Sequence, residues 1–163
     1  MMVIPASALR WMYRGQRPNW IARILNRASA IMASTGLMAT SGMVTLEVTG
    51  RATGRTISLP VAVIVVEGQR YLVSMLGEDV QWVKNVRAAG GRAAFRSGAL
   101  EPIVLEETPI EQRAPLLRIY LQHAPGARPH IPVDQHAPLA DFERVAKDYP
   151  VFRVTSAPSS QRQ

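Results

Sequence analysis

The chain has 163 residues and a mass of 17.9 kDa, the length of one domain, and 47% hydrophobic with 19% charged residues is a globular composition. It contains no cysteine, which excludes a disulfide framework, a thiolate zinc site and a cysteine nucleophile. The net charge is +7, and Arg10, Arg14, Arg17, Arg23 and Arg27 all precede the first acid, Glu47, so the N-terminal quarter is purely cationic and suits nucleic acid, anionic lipid or a polyanionic cofactor alike.

In residues 19–32 apolar side chains recur at Ile21, Ile24, Leu25, Ala28, Ile31 and Met32, which predicts an amphipathic helix with arginines on its other face. Such a helix packs on the domain or, with Trp11, Trp20 and the arginines, lies on a membrane surface. The uncharged run over residues 28–46 contains eight Ser, Thr or Gly in nineteen positions, too polar for a membrane span. An Arg-rich, acid-free start also resembles an organelle transit peptide.

Residues 43–48 and 57–66 are rich in Val, Ile, Leu and Thr and flank a turn with two glycines, which predicts a hairpin; residues 71–75 add a third antiparallel strand. The unbroken apolar run at residues 61–66 predicts a strand buried on both faces. Val80, Val83, Val86 and Ala89 repeat at helical spacing before Gly90-Gly91, so a short helix interrupts the sheet. Strands are expected again at residues 93–95 and 100–106. Thr108-Pro109-Ile110-Glu111 reads as a reciprocal cap opening a helix that runs to about His123. A proline-rich loop, a helix around Leu139, Phe142, Val145 and Ala146, and a last strand at residues 151–154 complete the order. The fold class is α+β, with about six mostly antiparallel strands and flanking helices, and closure into a small barrel suits so many short strands. Residues 1–42 form a basic helical segment, 43–155 the folded domain and 156–163 a disordered tail.

His123, His130 and His136 match no common metal spacing, so no metal is expected. Neither a dinucleotide fingerprint, a phosphate loop nor a serine elbow occurs, which disfavours standard hydrolases. The few aromatics are not interleaved with the basic residues, so no nucleic acid is expected. The turn Thr49-Gly50-Arg51-Ala52-Thr53-Gly54-Arg55 gathers two guanidiniums, two hydroxyls and backbone N–H groups, a composition suited to cradling an anion and equally to a solvated hairpin turn. Trp82 and Asn85, three apart, share a face of the short helix.

The strings VTGRATGRTISLPVAV and YLVSMLGEDVQWVKNVRAAGG resemble the deazaflavin-dependent nitroreductase and quinone reductase family, whose members show a T-G-R-x-S/T-G turn, a following proline and a W-x-x-N helix. The likeness covers roughly residues 43–106. It implies a split β-barrel that binds coenzyme F-420, a deazaflavin with a phosphate and a polyglutamate tail. By that likeness Arg51, Thr53, Gly54 and Arg55 hold the phosphate or tail. Ile57, Pro60, Val61, Ser74, Met75, Leu76 and Gly77 line the deazaflavin, and Trp82 and Asn85 complete its pocket. Tyr120 and His130 are candidates on the side of the substrate, and no catalytic residue is assigned. Two departures stand out: Ala52 replaces a frequent lysine, and Glu78 and Asp79 stand where a basic residue is usual.

The function implied is hydride transfer from reduced deazaflavin to a small-molecule acceptor, quinone-like or nitro-aromatic. The alternatives are flavin mononucleotide (FMN) in the same barrel, and a non-enzymatic module on an anionic membrane surface. Such barrels occur as monomers and as homodimers. The location implied is cytoplasmic, with peripheral attachment at the inner membrane face.

Overall fold

The computed structural model describes residues 42–158. The helix expected over residues 19–32 and the last five residues of the tail lie outside the described residues. Ser156, assigned to the tail from sequence, is instead the last residue of a strand.

Six strands form the domain: β1 (Met43–Thr49), β2 (Thr56–Val66), β3 (Gln69–Val73), β4 (Arg92–Ser97), β5 (Ala99–Glu107) and β6 (Val151–Ser156). They close into a barrel in the order β1-β2-β3-β6-β5-β4, and every pairing is antiparallel. Helix α1 (Gln81–Ala88) lies between β3 and β4, while α2 (Arg113–His123) and α3 (Leu139–Val145) occupy the crossing from β5 to β6. Among the described residues no helix is long and apolar enough to cross a membrane.

Alternation along the strands sorts side chains into two cores. Leu46, Val48, Leu72, Phe95, Ile103, Leu105, Phe152 and Val154 fill the barrel, joined by Val83 and Val86 of α1 and by Val80 just before it. On the outer face Ile64, Val73 and Val151 meet Leu117 and Leu121 of α2 and Phe142 of α3. Burying each large side chain is worth about 1.5–3 kcal/mol. The apolar run of β2 serves both cores, with Val61 and Val63 packed against the barrel interior and Ala62 and Val66 against the helices. Two-sided burial is nevertheless incomplete: of residues 61–66 only Ile64 is fully buried, and Val65 is 63% exposed.

Helix α1 ends as its two glycines predict. Gly90 N–H donates to the Arg87 carbonyl and Gly91 N–H to that of Val86, with positive φ at both glycines, the paired bonds of a Schellman motif. The start of α2 departs from the expected reciprocal cap. Pro109 is extended and opens a 3-10 turn at Ile110–Gln112, no side-chain cap forms, and the buried Thr108 Oγ1 has no partner. The backbone explains why: Thr108 N–H donates to the Val151 carbonyl, which keeps Thr108 aligned with the sheet and turns it from the helix.

Glu107 at the end of β5 joins the two layers. It receives bonds from Arg87 of α1 at 2.7 and 3.1 Å and from the buried Arg113 of α2 at 3.1 Å. Arg113 also donates to the carbonyls of Thr108 and Ala146. The hydrogen bond from Arg87, aided by the charges of both arginines and opposed by burial, holds the Glu107 carboxyl below its ordinary value. A lowered carboxyl pKa contributes stability that is present above the ordinary value and lost as pH falls through the lowered one. Unfolding temperature should therefore drop between about pH 5 and about pH 3. Glu107→Gln should flatten that slope; an unchanged pH profile in the variant would refute the role.

At Gly91, with φ +87°, an added Cβ would sit 2.5 Å from the Leu105 carbonyl oxygen, whose own N–H donates to the Gly91 carbonyl. Gly91→Ala should cost about 2–4 kcal/mol in denaturant unfolding. Gly68→Ala, in open space at φ +78°, should cost about 1–2 kcal/mol.

Candidate functional site

The β1–β2 connection is held in shape by its own backbone. Gly50 N–H donates to the Arg55 carbonyl and Gly54 N–H to the Gly50 carbonyl, each at 2.8 Å, and the Thr53 hydroxyl oxygen accepts from Arg55 N–H at 3.3 Å. Gly54 sits at φ +69°, where glycine is favoured. Gly50 is packed so closely that a Cβ would meet Ile57, Thr53 and Arg55 at 3.2–3.3 Å.

What distinguishes this turn from a solvated hairpin is Asn85. Its side chain, 3% exposed on α1, accepts at Oδ1 from Arg51 N–H (3.1 Å) and from Arg51 Nη1 (2.9 Å). One buried carbonyl thereby fixes both the turn's backbone and the guanidinium. The pair opens on a cleft of about 640 Å³ where β1 and β4 part. The ladder between those strands spans only Thr45, Leu46 and Glu47 against Arg96, Phe95 and Ala94; beyond it Asn85 and Ala88 of α1 and Ala89 at its C-terminal cap line the gap.

The remaining expected residues divide. Gly54 lines this cleft with Arg51 and Asn85, while Thr53 and Arg55 are exposed beside it. Ile57, at 41% exposure, follows the turn on β2. Pro60 and Val61 lie farther along that strand, paired with Thr45 and Val44. Met75, Leu76, Gly77 and His130 line a second cleft of about 370 Å³ with Glu78, Asp79, Asp148 and Tyr149. There the Tyr149 hydroxyl donates to the His130 carbonyl at 3.0 Å, and burial together with Asp148 raises the Tyr149 pKa. Ser74 is 1% exposed and its hydroxyl donates to the Gly77 carbonyl at 2.6 Å, so it shapes the turn that forms one wall of that cleft. Trp82 is half-buried in the barrel cluster, its ring 5.5 Å from that of Phe152 at 54°. Tyr120 is placed differently from its expected substrate-side position. It is 4% exposed in the helical core, lines neither cleft, and burial raises its pKa.

Sequence reading missed Arg92 and Glu47, which also line the larger cleft. Arg92 follows the helix-ending glycines directly, the one signal that marks it. Glu47 is engaged by Arg96, with the closer bond at 2.6 Å. Among the described residues no group of three or more His, Cys, Asp or Glu is arranged to hold a metal ion.

With this geometry in place, the family model for F420H(2)-dependent quinone reductase matches residues 21–126. The chain belongs to the F420H(2)-dependent quinone reductase family. The matched segment takes in the turn, α1 and the larger cleft, and ends before His130 and Tyr149. No curated protein matches the chain. Among solved structures, a protein of unknown function from Agrobacterium tumefaciens is 10% identical over 78% of this chain and 54% of its own, with a TM-score of 0.51. The chain thus spans about half of that protein's length. A domain-swapped dimer is 18% identical over 83% of this chain and 97% of its own, with a TM-score of 0.50. These two share the fold. An F420-H2 dependent reductase is 21% identical over 70% of this chain and 94% of its own, with a TM-score of 0.47.

Asn85→Ala removes the acceptor of both Arg51 bonds and should cost about 1–3 kcal/mol in denaturant unfolding. Combined with Arg51→Ala, the total should fall short of the sum, because the Nη1 bond is lost in either single variant. Strict additivity would show that the bond contributes nothing.

Proposed function

We propose that this member of the quinone reductase family binds reduced coenzyme F-420 and passes hydride to a small-molecule acceptor, quinone-like or nitro-aromatic. The observation that carries the reading is the pair of hydrogen bonds from Arg51 to Asn85, which aims a guanidinium at a cleft whose acid, Glu47, is already ion-paired with Arg96. Donors with fixed orientation and no competing carboxylate are what an anionic group needs. Arg51 and the N–H groups of the turn, with Thr53 and Arg55 beside them, would hold the anionic part of the cofactor.

When bound, a reduced deazaflavin supplies the hydride; the protein's tasks are orientation and exclusion of water. Met75, Leu76 and Trp82 are apolar surfaces suited to a flat ring system. Ile57, Pro60 and Val61 border the path from the turn, and Gly77, fixed by Ser74, lets the backbone approach. The smaller cleft, with His130, is the proposed place of the acceptor. The family match supports deazaflavin and gives no support to FMN. A homodimer is the proposed assembly, in keeping with the fold likeness to a domain-swapped dimer. A lipid-dissolved quinone as acceptor would suit attachment of the basic residues 10–27 to anionic lipid.

Titrating the purified protein into coenzyme F-420 and following its fluorescence tests the reading. Micromolar or tighter binding is expected, and Arg51→Ala should weaken it about 10- to 100-fold, the worth of one charge-assisted contact. Absence of binding at tens of micromolar, or full affinity in the variant, would overturn it.

A further inference from the structure

The cleft between β1 and β4 holds a second cation that the turn does not supply. Arg92, the first residue of β4, lines the same space as Arg51. Its Nε donates to the Ala89 carbonyl at 3.1 Å, which steadies the side chain at the end of α1 and leaves the outer guanidinium nitrogens for a ligand.

The surrounding charge is arranged to leave this guanidinium unopposed. Arg70, Arg87, Arg96, Arg113 and Arg153 each form an ion pair with a glutamate. Among the described residues Arg51, Arg55, Arg92, Arg118 and Arg128 form none, and the first three of these lie at or beside one cleft. The walls between them carry Gly50, Ala88, Ala89 and Ala93, small residues that allow an extended chain to lie against the backbone.

We propose that Arg92 is a second anion-binding residue of this cleft, taking a carboxylate of a chain-like polyanion whose other anionic group is held at Arg51. The inference rests on the cofactor reading for the identity of that polyanion, since the polyglutamate tail of coenzyme F-420 has this chemistry. Arg92 then sets how strongly the protein responds to tail length. A free phosphate at the turn alone would not need it.

The test compares the dissociation constants of coenzyme F-420 carrying one glutamate and carrying several, at low and moderate salt. In the natural chain affinity should rise with glutamate number. Arg92→Gln should lose about threefold to fivefold on the long tail, the worth of one exposed charge contact, and little on the short one. Its salt dependence should be shallower, and Arg92→Lys should restore most of the loss. Arg51→Ala should lower affinity for both tails alike. Equal loss on both tails in Arg92→Gln, or no loss, overturns the proposal while leaving the cofactor reading intact. If the natural chain binds neither form, the cofactor reading fails, and a free oligoglutamate peptide judges Arg92 alone. A shift of the Arg92 Nε–H NMR signal by that peptide keeps the proposal, and its absence ends it.

Discussion

The site depends on one buried carbonyl. Asn85 Oδ1 receives two donors from Arg51, and at 3% exposure it has little water to fall back on, so the bonds and the burial require each other. The turn could hold its backbone shape without Asn85 through the bonds among Gly50, Gly54 and Arg55, but its position relative to α1 would then be free. That position is in turn inherited. Val83 and Val86, on either side of Asn85 in sequence, are buried in the barrel, and the Gly90-Gly91 ending stops the helix where β4 must begin. Slipping α1 by one residue would swing Asn85 by about 100° and break the link. Barrel packing therefore places the helix, the helix places Asn85, and Asn85 places Arg51.

The cleft follows from how the barrel closes. β1 and β4 share a short ladder of three residue pairs before they part, and α1 supplies the side chains at the gap. Glu47 stands at the last of those pairs, and the reach of Arg96 from β4 removes its charge from the cleft. Arginine–glutamate pairs as exposed as these contribute only about 0–1 kcal/mol each to stability. Their larger effect here is on electrostatics: each occupied glutamate is one fewer competitor for Arg51 and Arg92. The Arg87–Glu107–Arg113 bridge is different in kind, because the Arg113 guanidinium is buried and its carbonyl partners tie the helical layer to the end of β5.

Local pattern disclosed much of the fold. Every expected strand is present, and the glycine pair ends α1, because alternation and glycine conformation are properties of a few neighbouring residues. Three features decided by distant contacts escaped it. Thr108 looks like a cap in sequence, but its N–H is taken by Val151, a residue far along the chain. Tyr120 is a substrate-side candidate in sequence, yet α2 turns it into the core with Leu117 and Leu121. Val65 belongs to an apolar run but is left open by the barrel's geometry. At the site, Arg51 and Asn85 were each legible by residue type and by family likeness; their bond, across thirty-four positions, was not. Arg92 has only its place after the two glycines to mark it in sequence; that it lacks the ion pair Arg70, Arg87 and Arg96 each form is a property of the folded chain.

The two clefts have opposite character. Asn85 and Ala88 of α1 and Ala89 just after it line the larger one, with Arg51 and Arg92, while the segment just before α1 lines the smaller one with Glu78 and Asp79, joined by Asp148. Lys84 and Arg87 partly offset those acids through contacts at 3.4 and 3.6 Å. An elongated molecule with one anionic end and one neutral, flat end would thus meet attraction at the first cleft and repulsion of its anion at the second. On the proposed function that asymmetry would favour one direction of binding without any contact to the ring system. On the proposed function the acids at residues 78 and 79 would then leave the 51–55 turn and Arg92 as the cationic end of the site.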